Sequence, residues 1–244
     1  MLTDKVALIT GAAHRIGAEV ARTLHDQGMK LVLHYRQSRK SAQALQKELN
    51  DKRADSVVLV QADLLCNNGM PKIVEETINS FGQLDVLINN ASTFYPTRVG
   101  TVSEEQWDDL MGTNLKAPFF LSQAAAPYLA KKKGCIINIV DVHADRPLKA
   151  FPVYSAAKAG LVMITKALAV ELGPDVRVNA VAPGAILWPE NIDEVTKQRI
   201  ISRTLLKRKG EPTDIAKAIL YLIKDAGYMS GQVLTVDGGR SLRS

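Results

Sequence analysis

The chain has 244 residues, 46% of them hydrophobic and 23% charged, which is typical of a globular protein and long enough for one α/β domain over residues 1–244. The formal net charge is +6, but the basic residues are dispersed and no aromatic side chains interleave them, which argues against a nucleic-acid partner. Two isolated cysteines, no signal-peptide pattern and no apolar run near the ~18 residues of a membrane span predict a cytoplasmic protein without disulfides or a membrane partner.

Short β-branched runs alternate with longer helical patterns along the chain. This alternation predicts a single doubly wound α/β domain of the Rossmann type, with a mostly parallel seven-stranded sheet between two layers of helices. Two helical patterns are clear, over residues 18–28 and 153–173. The seven predicted strands cover residues 5–10, 30–35, 56–61, 85–90, 135–140, 176–182 and 232–237.

The first predicted strand leads into the turn TGAAHRIG, residues 10–17, and then into a helix. A glycine-containing turn at this place lets backbone N–H groups approach a pyrophosphate at the positive end of a helix. Here the chain resembles the short-chain dehydrogenase/reductase family, whose T-G-x-x-x-G-x-G motif is matched by Thr10, Gly11 and Gly17. Arg15 replaces the middle glycine of the motif. The cofactor contacts predicted in this turn are Gly11, Arg15, Ile16 and Gly17.

The end of the second predicted strand favours a phosphorylated cofactor. Residues 34–40 contain no acidic residue that would accept the ribose 2′-hydroxyl of NAD. Their basic residues and serine would instead form charge-assisted contacts with a 2′-phosphate, so the sequence predicts NADPH. The contacts assigned here are His34, Tyr35, Arg36 and Ser38, and Arg39 and Lys40 add positive charge.

The family resemblance extends over roughly residues 5–239. It implies that Asn114 is the helical asparagine that holds a proton-relay water. It also implies a homotetramer built on the helices around 103–130 and 153–172 and on the C-terminal segment. The further cofactor contacts that it implies are Asp63, Leu64, Asn90, Ala91, Ser92, Pro183 and Gly184.

The segment YSAAK places Tyr154 and Lys158 four residues apart, on one face of a predicted helix. A phenol is a poor acid or base at neutral pH unless a nearby ammonium lowers its pKa, and Lys158 could do so. The resemblance implies that both residues also hold the nicotinamide ribose. Tyr128 and Lys132 have the same spacing, but no family motif flanks them, and we assign that pair to surface packing.

Asp141 follows the fifth predicted strand, thirteen residues before Tyr154, where most of the family has a serine that hydrogen-bonds a substrate carbonyl. An ionised carboxylate only accepts hydrogen bonds, and it raises the pKa of a neighbouring phenol. With Arg15 and the segment NNASTFYPT at 89–97, this substitution resembles the pteridine reductase branch, as in bacterial dihydromonapterin or dihydropteridine reductases. The substrate contacts that this resemblance implies, or that we assign beside it, are Phe94, stacked on the pterin, Asp141, Tyr154 and Trp188.

The sequence therefore predicts NADPH-dependent reduction of a dihydropterin, which could be dihydrobiopterin, dihydromonapterin or dihydrofolate. Tyr154, Asp141, Lys158 and Asn114 are the predicted catalytic residues. One alternative is a short-chain carbonyl or 3-oxoacyl reductase, which Asp141 disfavours. The other is a non-catalytic NADPH-sensing protein, which the intact Tyr154 and Lys158 disfavour. The four histidines have no metal-ligand spacing, so no metal is expected.

Overall fold

All seven predicted strands are present in the computed structural model, which describes residues 2–66, 69–188 and 193–242. Each strand begins and ends within one residue of the sequence prediction. β-Branched residues favour a buried sheet, and the polar residues that flank each run end the strand. The strands are β1 Val6–Ile9, β2 Lys30–Tyr35, β3 Val57–Gln61, β4 Val86–Asn89, β5 Cys135–Ile139, β6 Arg177–Pro183 and β7 Val233–Val236.

The strands form one sheet in the order β3-β2-β1-β4-β5-β6-β7, and every neighbouring pair is parallel. The chain starts at β1, builds outward to β3, and then crosses back to β4 on the other side of β1. The order therefore reverses between β1 and β4, and ligands of such sheets bind at the carboxyl ends of the strands beside this reversal. The predicted doubly wound α/β domain is confirmed, with a sheet that is parallel throughout.

Helices cover both faces of the sheet, because alternate strand residues point in opposite directions. The helices are α1 Arg15–Asp26, α2 Arg39–Lys52, α3 Gly69–Phe81, α4 Glu104–Met111, α5 Ala117–Lys131, α6 Pro152–Leu172, α7 Glu194–Arg203 and α8 Pro212–Lys224. In β1, Ala7 and Ile9 belong to the core under α1, α2 and α8, whereas Val6 and Leu8 belong to the core under α3, α5 and α6.

Helix α6 is 21 residues long and, by length and composition alone, apolar enough to cross a membrane. It is the one such helix in the described part of the chain, which is weak evidence for a span. Leu161 and Leu168 are buried in the fold, whereas Met163 and Val170 are exposed. The apolar character of α6 thus serves partly to pack the domain and partly to form an apolar outer surface.

Candidate active site

A cavity of about 800 Å³ lies at the carboxyl ends of the strands. Every residue that the sequence assigns to the cofactor lines it, from the turn after β1 to the end of β6. Their contacts with a cofactor stay predictions, but the fold brings all of them together. The sequence reasoning did not assign nine other lining residues: Ala13, His14, Gln37, Thr93, Thr113, Ile139, Val140, Ile186 and Leu187.

The turn after β1 is shaped by two glycines that leave no room for a side chain. Gly11 has a φ of +61°, and a Cβ on it would lie 2.9 Å from the Ala91 Cα atom. A Cβ on Gly17 would lie 2.5 Å from the Gly11 carbonyl oxygen and 2.6 Å from Asn90 Nδ2. The Asn90 amide donates to the carbonyl oxygens of Thr10 and Gly11, at 2.8 and 3.0 Å. The turn is therefore held close to the start of α1, where the first N–H groups of the helix can receive a phosphate.

Arg15 begins α1 with a φ of +54°, in the left-handed region. A glycine occupies that region freely, whereas another residue is destabilised by about 1 kcal/mol, which explains the glycine of the family motif. The guanidinium group is exposed and lines the cavity together with Arg36. Two cations and a glycine cradle fit a dinucleotide that carries an additional phosphate.

His34 is buried at the end of β2 and bonds to the backbone through both ring nitrogens. Its Nε2 atom lies 3.1 Å from the Ala62 carbonyl oxygen, and the Gly11 N–H donates to its Nδ1 atom at 3.4 Å. Burial lowers the pKa of His34 to about 4, against the hydrogen bond to Ala62. The ring is therefore neutral at pH 7, and it fixes the Gly11 turn without adding charge for a phosphate.

Tyr154 and Lys158 lie in the first two turns of α6 and are buried, with 5% and 2% of their surfaces exposed. The Lys158 ammonium donates to the Ile139 carbonyl oxygen at 2.9 Å and lies 5.7 Å from the centre of the Tyr154 ring. Burial lowers the pKa of Lys158 to about 8, and the charge of Asp141 opposes that shift. Lys158 is thus mainly an ammonium at neutral pH, beside the phenol.

Asp141 accepts hydrogen bonds on both carboxylate oxygens. The Tyr154 hydroxyl donates to Oδ2 at 2.8 Å, and the His143 N–H donates to Oδ1 at 2.8 Å, which caps the short 3-10 turn Val142–Ala144. Burial raises the pKa of Tyr154 well above its ordinary value, and the charge and hydrogen bond of Asp141 raise it further. A hydrogen bond with Ser92 opposes these effects, and the net shift is upward.

Asn114 lies in a π-helical turn, Gly112–Lys116, that joins α4 to α5. Its amide nitrogen donates to the carbonyl oxygens of Thr93 and Leu110, at 3.0 and 2.9 Å. These two bonds fix the orientation of the amide, so its oxygen accepts from the Ser92 hydroxyl at 2.6 Å. Asn114 thus pins the segment that follows β4, and its role with a relay water stays a prediction.

A buried amide pair connects the strands beneath the catalytic residues. Asn89 of β4 lies opposite Asn138 of β5 and donates to its side-chain oxygen at 2.8 Å. The Asn138 amide in turn donates to the Thr165 hydroxyl of α6 at 2.9 Å. This chain of hydrogen bonds ties α6 to the strand whose Ile139 carbonyl holds Lys158. The sequence reasoning missed it, although Asn138 interrupts an otherwise apolar strand and Asn89 ends another.

Of the three aromatic residues assigned to the substrate, Tyr154 lines the cavity, whereas Phe94 and Trp188 are not among its lining residues. The Phe94 ring stacks on Phe151, with the ring centres 4.5 Å apart, and meets the Tyr154 ring edge-on at 4.8 Å. Trp188 is partly buried next to Leu187, which does line the cavity. One face of the Phe94 ring is thus covered by another ring, while 46% of the residue's surface is exposed.

Comparisons with known proteins cover almost the whole chain. A family model described as enoyl-(acyl carrier protein) reductase matches residues 11–241. The chain is 34% identical over 244 residues to a 3-oxoacyl-[acyl-carrier-protein] reductase of Staphylococcus aureus, which covers 98% of this chain and 99% of that protein. It is 35% identical over 245 residues to the enzyme of the same name from Thermotoga maritima, covering 98% of each.

Another relative carries a name of the same chemical kind. The chain is 37% identical over 247 residues to a (2S)-[(R)-hydroxy(phenyl)methyl]succinyl-CoA dehydrogenase subunit of Thauera aromatica, which covers 99% of this chain and 98% of that protein. Acyl groups on coenzyme A and on an acyl carrier protein are both thioesters. The names of these relatives therefore all describe an oxidation or a reduction of an acyl thioester.

The predicted reduction of a dihydropterin is wrong, and the resemblance to the pteridine reductase branch is not supported. Relatives over the full length of the chain are named 3-oxoacyl reductases. In the structure, the two residues on which the pterin hypothesis rested make contacts within the protein. Asp141 caps a turn and accepts from Tyr154, and Phe94 stacks on Phe151.

Proposed function

This chain belongs to the short-chain dehydrogenase/reductase family and is a nicotinamide-dependent oxidoreductase, and from that premise we propose that it reduces the ketone of a 3-oxoacyl thioester with NADPH. The observation that carries the proposal is the identity of 34–35%, over nearly the whole chain, to proteins named 3-oxoacyl-[acyl-carrier-protein] reductase. The same coverage supports the predicted single domain over residues 1–244.

The choice of NADPH depends on the charges at the adenosine end of the cavity. Arg15 and Arg36 line this end, and Ser38 adds a hydroxyl. A ribose 2′-phosphate would gain charge-assisted hydrogen bonds here, whereas the free hydroxyl of NADH would find no carboxylate to accept its proton. When it is bound, NADPH supplies the hydride for the carbonyl carbon.

Tyr154 is the proposed proton donor to the ketone oxygen. Its raised pKa keeps the phenol protonated at neutral pH, which suits a group that must donate in the direction of reduction. The Lys158 ammonium, 5.7 Å from the ring centre, stabilises the phenolate that forms when the proton leaves. The pair thus delivers one proton as the carbonyl becomes an alcohol.

Asp141 has a different task from the serine that most of the family places there. As a carboxylate it cannot donate to a ketone oxygen, and it holds the Tyr154 hydroxyl at 2.8 Å. The phenol carries one proton, so it must turn from Asp141 to the substrate before it donates. We therefore assign to Asp141 the orientation of Tyr154 in the resting site. The positive charge of Lys158 favours release of the Tyr154 hydroxyl from Asp141.

A thioester panel with an absorbance assay of NADPH tests the proposal. Acetoacetyl-CoA contains the 3-oxo group, and crotonyl-CoA contains a double bond at the same place without the ketone. We expect oxidation of NADPH with acetoacetyl-CoA and little with crotonyl-CoA. Turnover of crotonyl-CoA alone would move the assignment to enoyl reduction, and tight NADPH binding with no turnover of either would favour a cofactor-sensing protein.

We also propose that the protein is a homotetramer. Apolar side chains are exposed along α4, α5 and α6, as in the partly exposed Trp107 and Phe120 and the largely exposed Met163 and Val170. Exposed apolar side chains gathered on neighbouring helices are typical of an interface between subunits. Light scattering should give about four times the chain mass of 26.6 kDa, and a stable monomer would refute the assembly.

A further inference from the structure

The residue that follows β5 cannot donate a hydrogen bond to a ketone oxygen. Asp141 is a carboxylate, which only accepts, and its two oxygens already accept from the Tyr154 hydroxyl and the His143 N–H, both at 2.8 Å. Negative charge builds on the ketone oxygen as its carbon is reduced, and preorganised donors around that oxygen stabilise the transition state. The proposed reduction therefore needs a donor besides Tyr154 from another segment of the cavity.

The Ser92 hydroxyl is a candidate for this donor. Ser92 follows β4, the neighbour of β5 in the sheet, and it lines the cavity together with Asp141 and Tyr154. The residue is exposed, so a ligand in the cavity can reach its side chain. Two residues further on, the Phe94 ring meets the Tyr154 ring edge-on at 4.8 Å. The segment that carries Ser92 thus lies against the phenol.

The Ser92 oxygen is held in place by a buried amide. The hydroxyl donates to the Asn114 Oδ1 atom at 2.6 Å, and Asn114 is completely buried. The Asn114 amide nitrogen donates to the carbonyl oxygens of Thr93 and Leu110, so the amide cannot turn freely. A hydroxyl hydrogen rotates about its C–O bond. The Ser92 oxygen can therefore keep its position while its hydrogen turns from Asn114 to a ligand.

Ser92 also acts on the hydroxyl group of Tyr154. Burial and Asp141 raise the pKa of Tyr154, and hydrogen bonding by Ser92 opposes them. A donor beside a phenol has this effect because it favours negative charge on the phenolic oxygen. The hydroxyl groups of Ser92 and Tyr154 therefore face the same part of the cavity, where one ketone oxygen can accept from both.

We propose that Ser92 is a catalytic residue, whose hydroxyl donates to the ketone oxygen beside Tyr154 and performs the task for which Asp141 has no proton. The proposal rests on the proposed function and adds a residue to its mechanism. During reduction Tyr154 transfers its proton to the oxygen, whereas Ser92 donates a hydrogen bond and keeps its own proton. The cofactor contact that the family resemblance implies for Ser92 stays a separate prediction.

Removal of the hydroxyl is the first test. Reduction of acetoacetyl-CoA and of ethyl acetoacetate, a ketone without a thioester, is followed at saturating NADPH. We expect Ser92→Ala to lower kcat at least about tenfold with both ketones, since loss of one preorganised donor commonly costs ~10²–10³. Ser92→Thr keeps the hydroxyl and should retain most of the activity. A higher KM for NADPH with an unchanged kcat would show a contact with the cofactor alone and contradict the proposal.

A second background separates donation from a structural role. Asp141→Ser supplies a hydroxyl where most of the family has one, so the ketone oxygen regains a donor from that side. In this background Ser92→Ala should lower kcat by less than about threefold, because the effects of two groups that share one task are not additive. If Ser92 only held Asn114 in place, the loss would be the same in both backgrounds, and that result would overturn the proposal.

The neighbouring hydroxyl of Thr93 provides a competing assignment. Thr93 also lines the cavity, so Thr93→Val is measured with the same two ketones and in the same two backgrounds. We expect the loss that depends on the background in Ser92→Ala. Its appearance in Thr93→Val instead would make Thr93 the donor and the assignment of Ser92 wrong.

The two ketones keep this inference distinct from the proposed function. If ethyl acetoacetate is reduced and acetoacetyl-CoA is not, the thioester assignment is wrong, and a loss in Ser92→Ala with the ester still supports the donor role. If acetoacetyl-CoA is reduced and Ser92→Ala keeps full kcat with both ketones, the function stands and the role of Ser92 is wrong. Reduction of neither ketone by the wild-type protein would overturn both.

Discussion

The cofactor end and the substrate end of the cavity differ in how much of them the sequence reveals. At the cofactor end, each residue assigned from the turn TGAAHRIG and from the end of β2 lines the cavity. At the substrate end, Phe94 stacks on another ring and Asp141 caps a turn. The first end is built from backbone geometry, and the second from side chains that distant segments bring together.

The difference has a physical origin. A pyrophosphate site needs a tight turn and the first N–H groups of a helix, and both are encoded within eight consecutive residues, 10–17. A substrate site depends on which atoms remain free after the fold has used the others. Asp141 would be an aspartate in a pterin reductase and in a 3-oxoacyl reductase alike, so its residue type does not reveal its role. Its partners, the His143 N–H and the Tyr154 hydroxyl, show that role.

The largest expected effect lies where the two ends meet, at Tyr154. Tyr154→Phe removes the proposed proton donor and should reduce kcat for acetoacetyl-CoA by about 10²–10⁴, the usual contribution of general acid catalysis. NADPH affinity should change little. Tyr128→Phe is the matched control, because Tyr128 precedes Lys132 at the same spacing, and it should retain full activity. Comparable losses in both variants would show that the spacing alone does not identify the catalytic pair.

The next effect tests the cofactor end by itself. NADPH should exceed NADH in kcat/KM by more than about tenfold, which corresponds to one charge-assisted contact or more. Arg36→Gln should remove most of that preference, because Arg36 lines the cavity. Arg39→Gln is the control, since Arg39 begins α2 and is not among the lining residues. Equal use of the two cofactors by the wild-type protein would contradict the assignment.

The third prediction concerns Asp141 and the pH dependence of reduction. Lys158, with a pKa of about 8, is charged below that pH and neutral above it, so the rate should fall as the pH rises through about 8. The charge of Asp141 raises the pKa values of both Lys158 and Tyr154. Asp141→Asn removes that charge and keeps an acceptor for the His143 N–H. The basic limb of kcat/KM should therefore move toward lower pH, and an unmoved limb would show that Asp141 does not act on the pair.

The sequence predicts the fold closely and the site in part. Apolar runs and turn residues locate all seven strands within one residue, because strands buried on both faces of a parallel sheet are nearly continuous apolar runs. Helical spacing places Tyr154 and Lys158 on one face of a helix, and the family resemblance distinguishes them from Tyr128 and Lys132, which have the same spacing. The Asn89–Asn138 pair cannot be predicted in this way, since it depends on a contact between segments far apart in the chain.

The smallest effect is expected at Arg15, where relief of backbone strain and the conformational entropy of a replacement glycine oppose each other. Its φ of +54° destabilises the folded chain by about 1 kcal/mol, and Arg15→Gly would remove that strain. A glycine also loses about 0.5–1 kcal/mol more conformational entropy on folding, so the two terms nearly cancel. The free energy of unfolding by denaturant, measured without cofactor, should therefore change by less than about 1 kcal/mol, as in the control Asp55→Gly, since the φ of Asp55 is also +54°.

Only Arg15→Gly should weaken the binding of NADPH relative to that of NADH, because Arg15 lines the cavity and Asp55 does not. Loss of stability without any change in cofactor preference would make Arg15 a residue of the fold alone.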